Sequence, residues 1–264
     1  MPYLSPALNV MTAAARKAGR RLIRDFGEIE NLQISVKGPG DFVTMADKRT
    51  EEILVAELQK ARPGYPILAE ESGAIDGPDR SHRFIVDPID GTTNFLHGIP
   101  HFAIAIALER DGNLQTAVIY NPITDEMYTA ERGHGAYLND KRLRVAARKT
   151  LADTVAAAGT PNLGDTGSEH ARAHAELAAV MKATAALRRC GAATLDLAYV
   201  AAGRFDAFWE RGLAPWDMAA GALLVREAGG VVSDLSGRDR MLETGDILAA
   251  NEALHPQFLK LLKS

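Results

Sequence analysis

The sequence has 264 residues, 47% of them hydrophobic, enough for one large domain or two closely packed halves around a sizeable core. A formal net charge of −4 excludes a global basic field of the kind that gathers nucleic acid or anionic membrane, so direct nucleic-acid binding is not expected. The single cysteine, Cys190, excludes an internal disulfide and a cysteine-based zinc site, and with no basic-then-apolar leader and no apolar run near ~20 residues the chain reads as cytoplasmic, without a membrane partner.

In the first segment Leu8, Met11, Ala15, Leu22, Ile23 and Phe26 recur near a ~3.6-residue period among Lys17, Arg20, Arg21 and Arg24, the pattern of an amphipathic helix. Thr44 and Asp47 have the spacing of a capping box, and Ile53, Leu54 and Leu58 carry an apolar stripe that Pro63 and Gly64 end. Asp47 is thereby expected in the first turn of a helix. Residues 65–69 predict a short strand running into Glu70 and Glu71, and Phe84, Ile85 and Val86 a second running into Asp87, so both strands end in acid. After DPIDGTTNF (87–95), FAIAIAL alternates large and small apolar residues, Asp111 and Gly112 supply a turn, and short strands continue to about Ala130 as an antiparallel sheet. From about Leu151 helix and strand alternate, with helices expected over 169–187, 193–202 and 216–228 and strands through Val231 and Ile247. This change of character divides the chain into 1–150 and 151–264. No Pro-, Gly- or Ser-rich linker separates the two, so they are expected to pack as one body.

Glu70, Asp87 and Asp90 are hard oxygen donors at strand ends or in the turn just beyond, a set that suits Mg²⁺ better than zinc or a softer ion. Pro88 fixes its own φ and lacks an N–H, which stiffens the turn and allows the carbonyl of Ile89 to face outward as another donor. Gly91 lets the backbone approach a bound group closely, and the amides of Gly91, Thr92 and Thr93 at a helix start would favour an anion. Carboxylates for cations beside amides for phosphate is the logic of two-metal phosphoryl transfer. Alone, D-P-x-D-G also describes a solvated acidic turn, and Asp217, opening the helix in PWDMAAG, also suits the positive end of a helix dipole.

Together with VKGPGDFVTMADKRTEE (36–52), LAEES (68–72), VDPIDGTTNFLHGIPHFAIAIAL (86–108) and RRCGAATLDLAYVAAGRFDAFWE (188–210), these motifs resemble the inositol monophosphatases, within the lithium-sensitive, Mg²⁺-dependent phosphatases, over nearly the whole chain. The resemblance implies an α+β fold, a layered α-β-α-β-α sandwich of the inositol monophosphatase and fructose-1,6-bisphosphatase type. It implies hydrolysis of a myo-inositol monophosphate by metal-activated water, with two or three Mg²⁺ ions and no phosphoenzyme. Glu70, Asp87 and the Ile89 carbonyl would hold one ion; Asp87, Asp90 and Asp217 a second; a third, weaker ion would touch Glu70. Thr92 and Asp47 would orient and activate the water, the Gly91 and Thr92 amides would hold phosphate, and Asp90, Gly191, Ala193 and Glu210 would surround the ring. Lys37 matches a basic residue of the family's mobile loop. A homodimer, lithium sensitivity and a protein partner in transcription, as for an enterobacterial member, are further implications. Where many animal members have threonine, Ala192 occupies the ring-binding loop, which leaves ring specificity open.

Sister activities on fructose 1,6-bisphosphate, nucleotide 3′-phosphate or histidinol phosphate share the same phosphate chemistry. The haloacid-dehalogenase motif D-x-D-G-T differs by one residue of spacing from D-x-x-D-G-T here, which disfavours a covalent aspartyl phosphate. His170 and His174 lack the Glu of H-E-x-x-H and read as an exposed helix face, and Pro100 argues against a regular helix joining His97 to His101. Gly133, His134 and Gly135 lack a third glycine, so a dinucleotide site has little support. Arg188 and Arg189 read as a solvated pair at a helix or strand end, Trp209 and Trp216 as packing residues, and Cys190 as a small buried apolar side chain.

Overall fold

A computed structural model describes residues 5–28, 34–38, 41–161 and 166–263. The first helix, α1 (Pro6–Gly27), starts at Ser5, whose hydroxyl accepts from the Leu8 N–H at 3.2 Å, with Pro6 in the first turn where a missing N–H costs nothing. Its buried stripe takes in Leu8, Met11, Ala15 and Leu22 of the expected one together with Ala14 and Ala18, whereas Phe26 is only partly buried and Ile23 faces out at 43% exposure. A two-stranded ribbon, β1 (Ile34–Gly38) and β2 (Asp41–Thr44), leads into α2 (Met45–Ala61), which carries Asp47 in its first turn. Then follow β3 (Ile67–Ala69), β4 (Gly73–Ile75), β5 (His82–Asp90), the short helix α3 (Thr92–Leu96), β6 (Ala103–Arg110), β7 (Asn113–Asn121), β8 (Glu126–Glu131), β9 (Gly135–Leu138) and β10 (Lys141–Arg142).

The remaining elements are β11 (Val155–Ala158), α4 (Gly167–Ala183), β12 (Ala186–Arg188), α5 (Ala193–Ala201), β13 (Ala207–Glu210), α6 (Pro215–Glu227), β14 (Val231–Ser233), α7 (Met241–Thr244), β15 (Ile247–Ala250) and α8 (His255–Leu261). The helix expected over 169–187 ends earlier. Thr184, a β-branched residue, turns extended at φ −115°, ψ 159°, and the chain passes into β12, where it pairs parallel with β11. Tyr65 and Pro66 precede β3 rather than belonging to it.

Two sheets and three helical layers form the α-β-α-β-α sandwich that the motifs implied. The eight-stranded sheet runs β10-β9-β8-β7-β6-β5-β3-β4 and the five-stranded one β12-β11-β13-β15-β14. Helices α1 and α2 cover one face of the larger sheet, burying Leu22, Leu54 and Leu58 against Phe84, Ile104 and Val118. The central layer, α5 and α6, fills the gap between the sheets with Leu195, Leu197, Ala219, Ala222 and Leu223, which meet Ile85 and Ala105 on one side and Ala157 and Phe208 on the other. Small residues let helices and sheets approach closely, so one core spans both sheets. On the outer face of the smaller sheet, Val180 of α4 and Phe258 of α8 pack over Ala156, Trp209 and Leu248. Among the described residues no helix is long and apolar enough to cross a membrane.

Candidate active site

The acids converge because of strand register. β3 and β5 pair in parallel, Ile67 with Phe84, Leu68 with Ile85 and Ala69 with Val86, and the Glu70 N–H continues the ladder to the Val86 carbonyl at 3.2 Å. Glu70 is therefore carried beside Asp87 at the adjoining strand ends. On its other edge β5 meets β6 antiparallel, with Asp87 opposite Ala105 and Asp90 opposite Ala103, so three steps on β5 face two on β6. This is a bulge at Pro88 and Ile89. Proline is tolerated in a sheet at such a place, and the bulge re-aims the residues that follow.

The turn beyond is braced from within. The Ile89 N–H donates to Asp87 Oδ1 at 3.0 Å, and Thr92 Oγ1 lies 3.1 Å from the Ile89 carbonyl and 3.2 Å from Asp47 Oδ1. Gly91 adopts φ +91°, where a side chain is strained, and a Cβ there would meet the His101 carbonyl at 3.0 Å and the Ala192 Cβ at 3.1 Å. The loop carrying Gly191 thus packs directly on this turn. Asp90 receives the Thr194 N–H on Oδ2 at 2.7 Å, together with the Thr194 hydroxyl, from the first turn of α5. Asp217, in the first turn of α6, accepts the Ala214 N–H at 2.7 Å.

Burial first, then the carboxylates of Glu70, Asp90 and Asp217, push Asp87 well above the usual aspartate range. Burial likewise pushes Asp90 up to about 6, against the lowering effect of the Thr194 hydrogen bonds. Glu210, at the end of β13, is raised well above its ordinary value by burial and by Asp90, Asp217 and Asp196, with Arg189 opposing. Like charges crowded out of water call for a cation or for protons. Every candidate donor is oxygen, so the set fits a hard cation such as Mg²⁺.

A cleft of about 470 Å³ opens above this floor, lined by Asp90, Gly91, Thr92, Gly191, Ala193, Glu210 and Asp217. Asp47, Asp87 and Ile89 lie beneath, at 0–1% exposure, and Glu70 is half-buried. Glu210 leans against Gly159, where an added Cβ would fall 1.9 Å from its carboxyl carbon. Lys37 lies in β1, whose side chains fall outside the described residues.

Three positioning residues were missed by sequence reasoning. Glu51, buried in α2, accepts the N–H groups of Glu71 at 2.7 Å and Ser72 at 2.9 Å and so fastens the turn that presents Glu70. Asn94 donates its amide to the carbonyls of His101 at 2.7 Å and Cys190 at 2.8 Å, tying the loop before α5 to the turn after β5. Thr194 is the third. All three lie inside the quoted motifs, but nothing in chain order names their partners.

Cys190 requires a correction. It is half-buried and packs against the apolar core as expected, but its Sγ also lies with His101 and Asp196 in a group whose donor atoms are all within 4.8 Å. One cysteine can therefore join a mixed donor set, which a count of cysteines alone excludes. His170 and His174 have ring centroids 6.5 Å apart on α4, with His174 exposed; Trp209 packs in the core and Arg188 ends β12.

The model of the inositol monophosphatase family matches residues 4–264. An inositol-1-monophosphatase of Mesorhizobium japonicum is 59% identical over 98% of this chain and 97% of its own length. The Nus factor SuhB of Pseudomonas aeruginosa is 46% identical over 94% of this chain and 92% of its own. Among solved structures, the extragenic suppressor protein SuhB of Bartonella henselae superposes with a TM-score of 0.96 at 54% identity, covering 98% of this chain and 99% of that one.

Proposed function

Since the chain belongs to the inositol monophosphatase family, we infer that it is a phosphoric monoester hydrolase that releases phosphate from a myo-inositol monophosphate and requires Mg²⁺. The observation that carries this reading is the buried carboxylate group at the adjoining ends of β3 and β5, coupled through Thr92 to Asp47 and opening into the cleft.

Glu70, Asp87, the Ile89 carbonyl, Asp90 and Asp217 would hold two or three Mg²⁺ ions, which when bound neutralise phosphate charge and acidify water. The chain's own residues do the rest. Asp47 keeps the Thr92 hydroxyl oriented, leaving the oxygen's other lone pair for the attacking water, whose proton passes through Thr92 Oγ1 to the Asp47 carboxylate. The water oxygen forms the new P–O bond as the bond to the polyol oxygen breaks, and the departing oxygen takes a proton from solvent. No bond to the protein forms. The Gly91 and Thr92 amides receive phosphate oxygens, while Gly191, Ala193 and Glu210 meet the polyol. Lys37, on the ribbon that precedes α2, is assigned to organising the metal group.

We take 1–150 and 151–264 as halves of one body, a reading supported by the single core that α5 and α6 fill between the two sheets. A cytoplasmic homodimer and a protein partner in transcription are the accompanying proposals; the relative that is named Nus factor SuhB supports the transcription partner alone. Phosphate release from myo-inositol 1-phosphate, with and without Mg²⁺ and beside fructose 1,6-bisphosphate and nucleotide 3′-phosphate, tests the catalytic reading. Mg²⁺-dependent preference for the inositol ester is expected; preference for another ester would reassign the substrate, and no hydrolysis of any ester would overturn the enzyme reading.

A further inference from the structure

We propose that His101 Nε2, Cys190 Sγ and Asp196 form a second metal site, separate from the oxygen-only set and suited to a borderline ion such as Zn²⁺. The three residues come from different segments: the loop after α3, the loop before α5, and the first turn of α5. Their donor atoms lie within 4.8 Å of one another. In a tetrahedral zinc site, bonds of about 2.0–2.3 Å place neighbouring ligand atoms roughly 3.3–3.8 Å apart. The separation of His101 Nε2 from Asp196 Oδ1, 3.5 Å, is already in that range.

That separation is too long for a charge-assisted hydrogen bond, which closes to about 2.7–2.9 Å. Both atoms are buried, and among the described residues neither has a hydrogen-bond partner. The Asp196 side chain is only 2% exposed. A carboxylate oxygen and an imidazole nitrogen facing each other at 3.5 Å, beyond the length of a strong hydrogen bond, beside a thiol that also interacts with the carboxylate, leave a place that an ion between them would satisfy.

The surroundings hold the donors in place. One Asn94 amide donates to the carbonyls of both His101 and Cys190, and the Asp196 N–H is fixed to the Ala192 carbonyl at 3.0 Å. Tyr199 packs edge-on against the His101 ring at 5.6 Å. A thiolate, an imidazole and a carboxylate neutralise a divalent ion and leave one position for water, the ligand count of an open zinc site; Mg²⁺, which prefers six oxygens, is excluded by chemistry. Burial and Asp196 push the Cys190 thiol up to about 11, so ion binding releases the thiol proton to solvent. Because Cys190 and Asp196 flank Gly191 and Ala193, an ion there would clamp the loop that forms one wall of the cleft.

The test uses the full chain saturated with Mg²⁺ and titrated with Co²⁺, read by thiolate-to-cobalt charge-transfer absorption in the near ultraviolet and by displacement with Zn²⁺. One equivalent with that band is expected in the wild type. The band should persist in Asp217→Asn, which alters only the oxygen set, and vanish in Cys190→Ser. Asp196→Asn and His101→Gln should weaken Zn²⁺ binding at least ~10-fold, the lower end of what even outer-shell changes cost a metal site. No band in the folded wild type would overturn the proposal. So would a band of unchanged affinity in both Asp196→Asn and His101→Gln, since the cysteine would then be binding metal alone. Neither outcome depends on phosphatase activity, so failure here is distinguishable from failure of the catalytic reading.

Discussion

Asp87 is ringed by carboxylates and shut away from water, so an amide in its place changes two things in opposite directions. Asp87→Asn removes repulsion from the metal-free chain and a donor from the metal set. The expected result is a higher unfolding midpoint in chelator, no further rise on adding Mg²⁺, and phosphate release reduced to background; thermal unfolding with and without Mg²⁺ checks it, and a lower midpoint in chelator would contradict the crowding argument. Glu51→Ala acts less directly. It leaves the N–H groups of Glu71 and Ser72 without their carboxylate acceptor, a loss of charge-assisted hydrogen bonds on the order of 2 kcal/mol, and frees the turn that presents Glu70. Denaturant unfolding should show that loss, and half-maximal phosphate release should need more Mg²⁺; an unchanged Mg²⁺ requirement would limit Glu51 to stability alone. Glu70, Asp87, Asp90 and Asp217 were legible because short motifs place acids at strand and helix ends. Glu51, Thr194 and Cys190 were not. The partners of Glu51 lie 20 and 21 residues away and that of Thr194 lies 104 away, distances over which neither period nor spacing carries information.

Elements with a strong apolar period, such as α1 and α2, could be read in sequence to within a few residues, because one buried stripe decides their structure. In the smaller sheet β14 and β15 were read, through Val231 and Ile247, but β11 and β13 were not. β11 reads VAAA and β13 AFWE, compositions that suit a helix as well as a strand, and only pairing with each other and with β15 settles them. The bulge in β5 was half legible: Pro88 marked a stiff turn, but its place inside a ladder with β6 shows only in the register. The same sheet yields a test of Glu210. Gly159 follows β11, and in Gly159→Ala the new Cβ would displace the Glu210 carboxyl group from its place at the end of β13. If Glu210 meets the polyol and takes no part in bond breaking, KM for myo-inositol 1-phosphate rises roughly 10-fold or more while kcat changes little. Steady-state phosphate release measures the split. A matched fall of kcat and kcat/KM with KM unchanged would move Glu210 into the chemical step.

For the whole molecule, the crowded acids turn metal binding into a question of pH. A carboxyl group whose folded pKa is raised binds its proton more tightly in the native state, so its contribution to stability is full below the unfolded value of about 4 and is lost as pH rises through the folded value. For Asp90 that loss centres near about 6, and Asp87, raised well above the usual aspartate range by burial and its carboxylate neighbours, loses its contribution in the same sense. The metal-free chain should therefore become less stable as pH climbs from mild acid to neutrality. Two other groups act on different windows. Asp79, lowered to about 2 chiefly by the backbone N–H of His82, contributes stability that is lost only in strong acid. His255, lowered by burial, contributes stability that is lost as pH falls below its ordinary value of 6.5, opposing the acids. Because His255 and Asp79 act alike with and without Mg²⁺, the difference between the two conditions isolates the carboxylate group. Bound cation replaces the protons that the acids give up, so the stabilisation by a fixed Mg²⁺ concentration should widen between about pH 5 and 8, as linkage requires when protons and metal compete for the same oxygens. Denaturant midpoints measured with Mg²⁺ and with chelator across that range decide the matter. A gap that stays constant would mean that Asp87 and Asp90 are already ionised together in the metal-free chain, and the reading of their burial as the force that recruits the cation would fall.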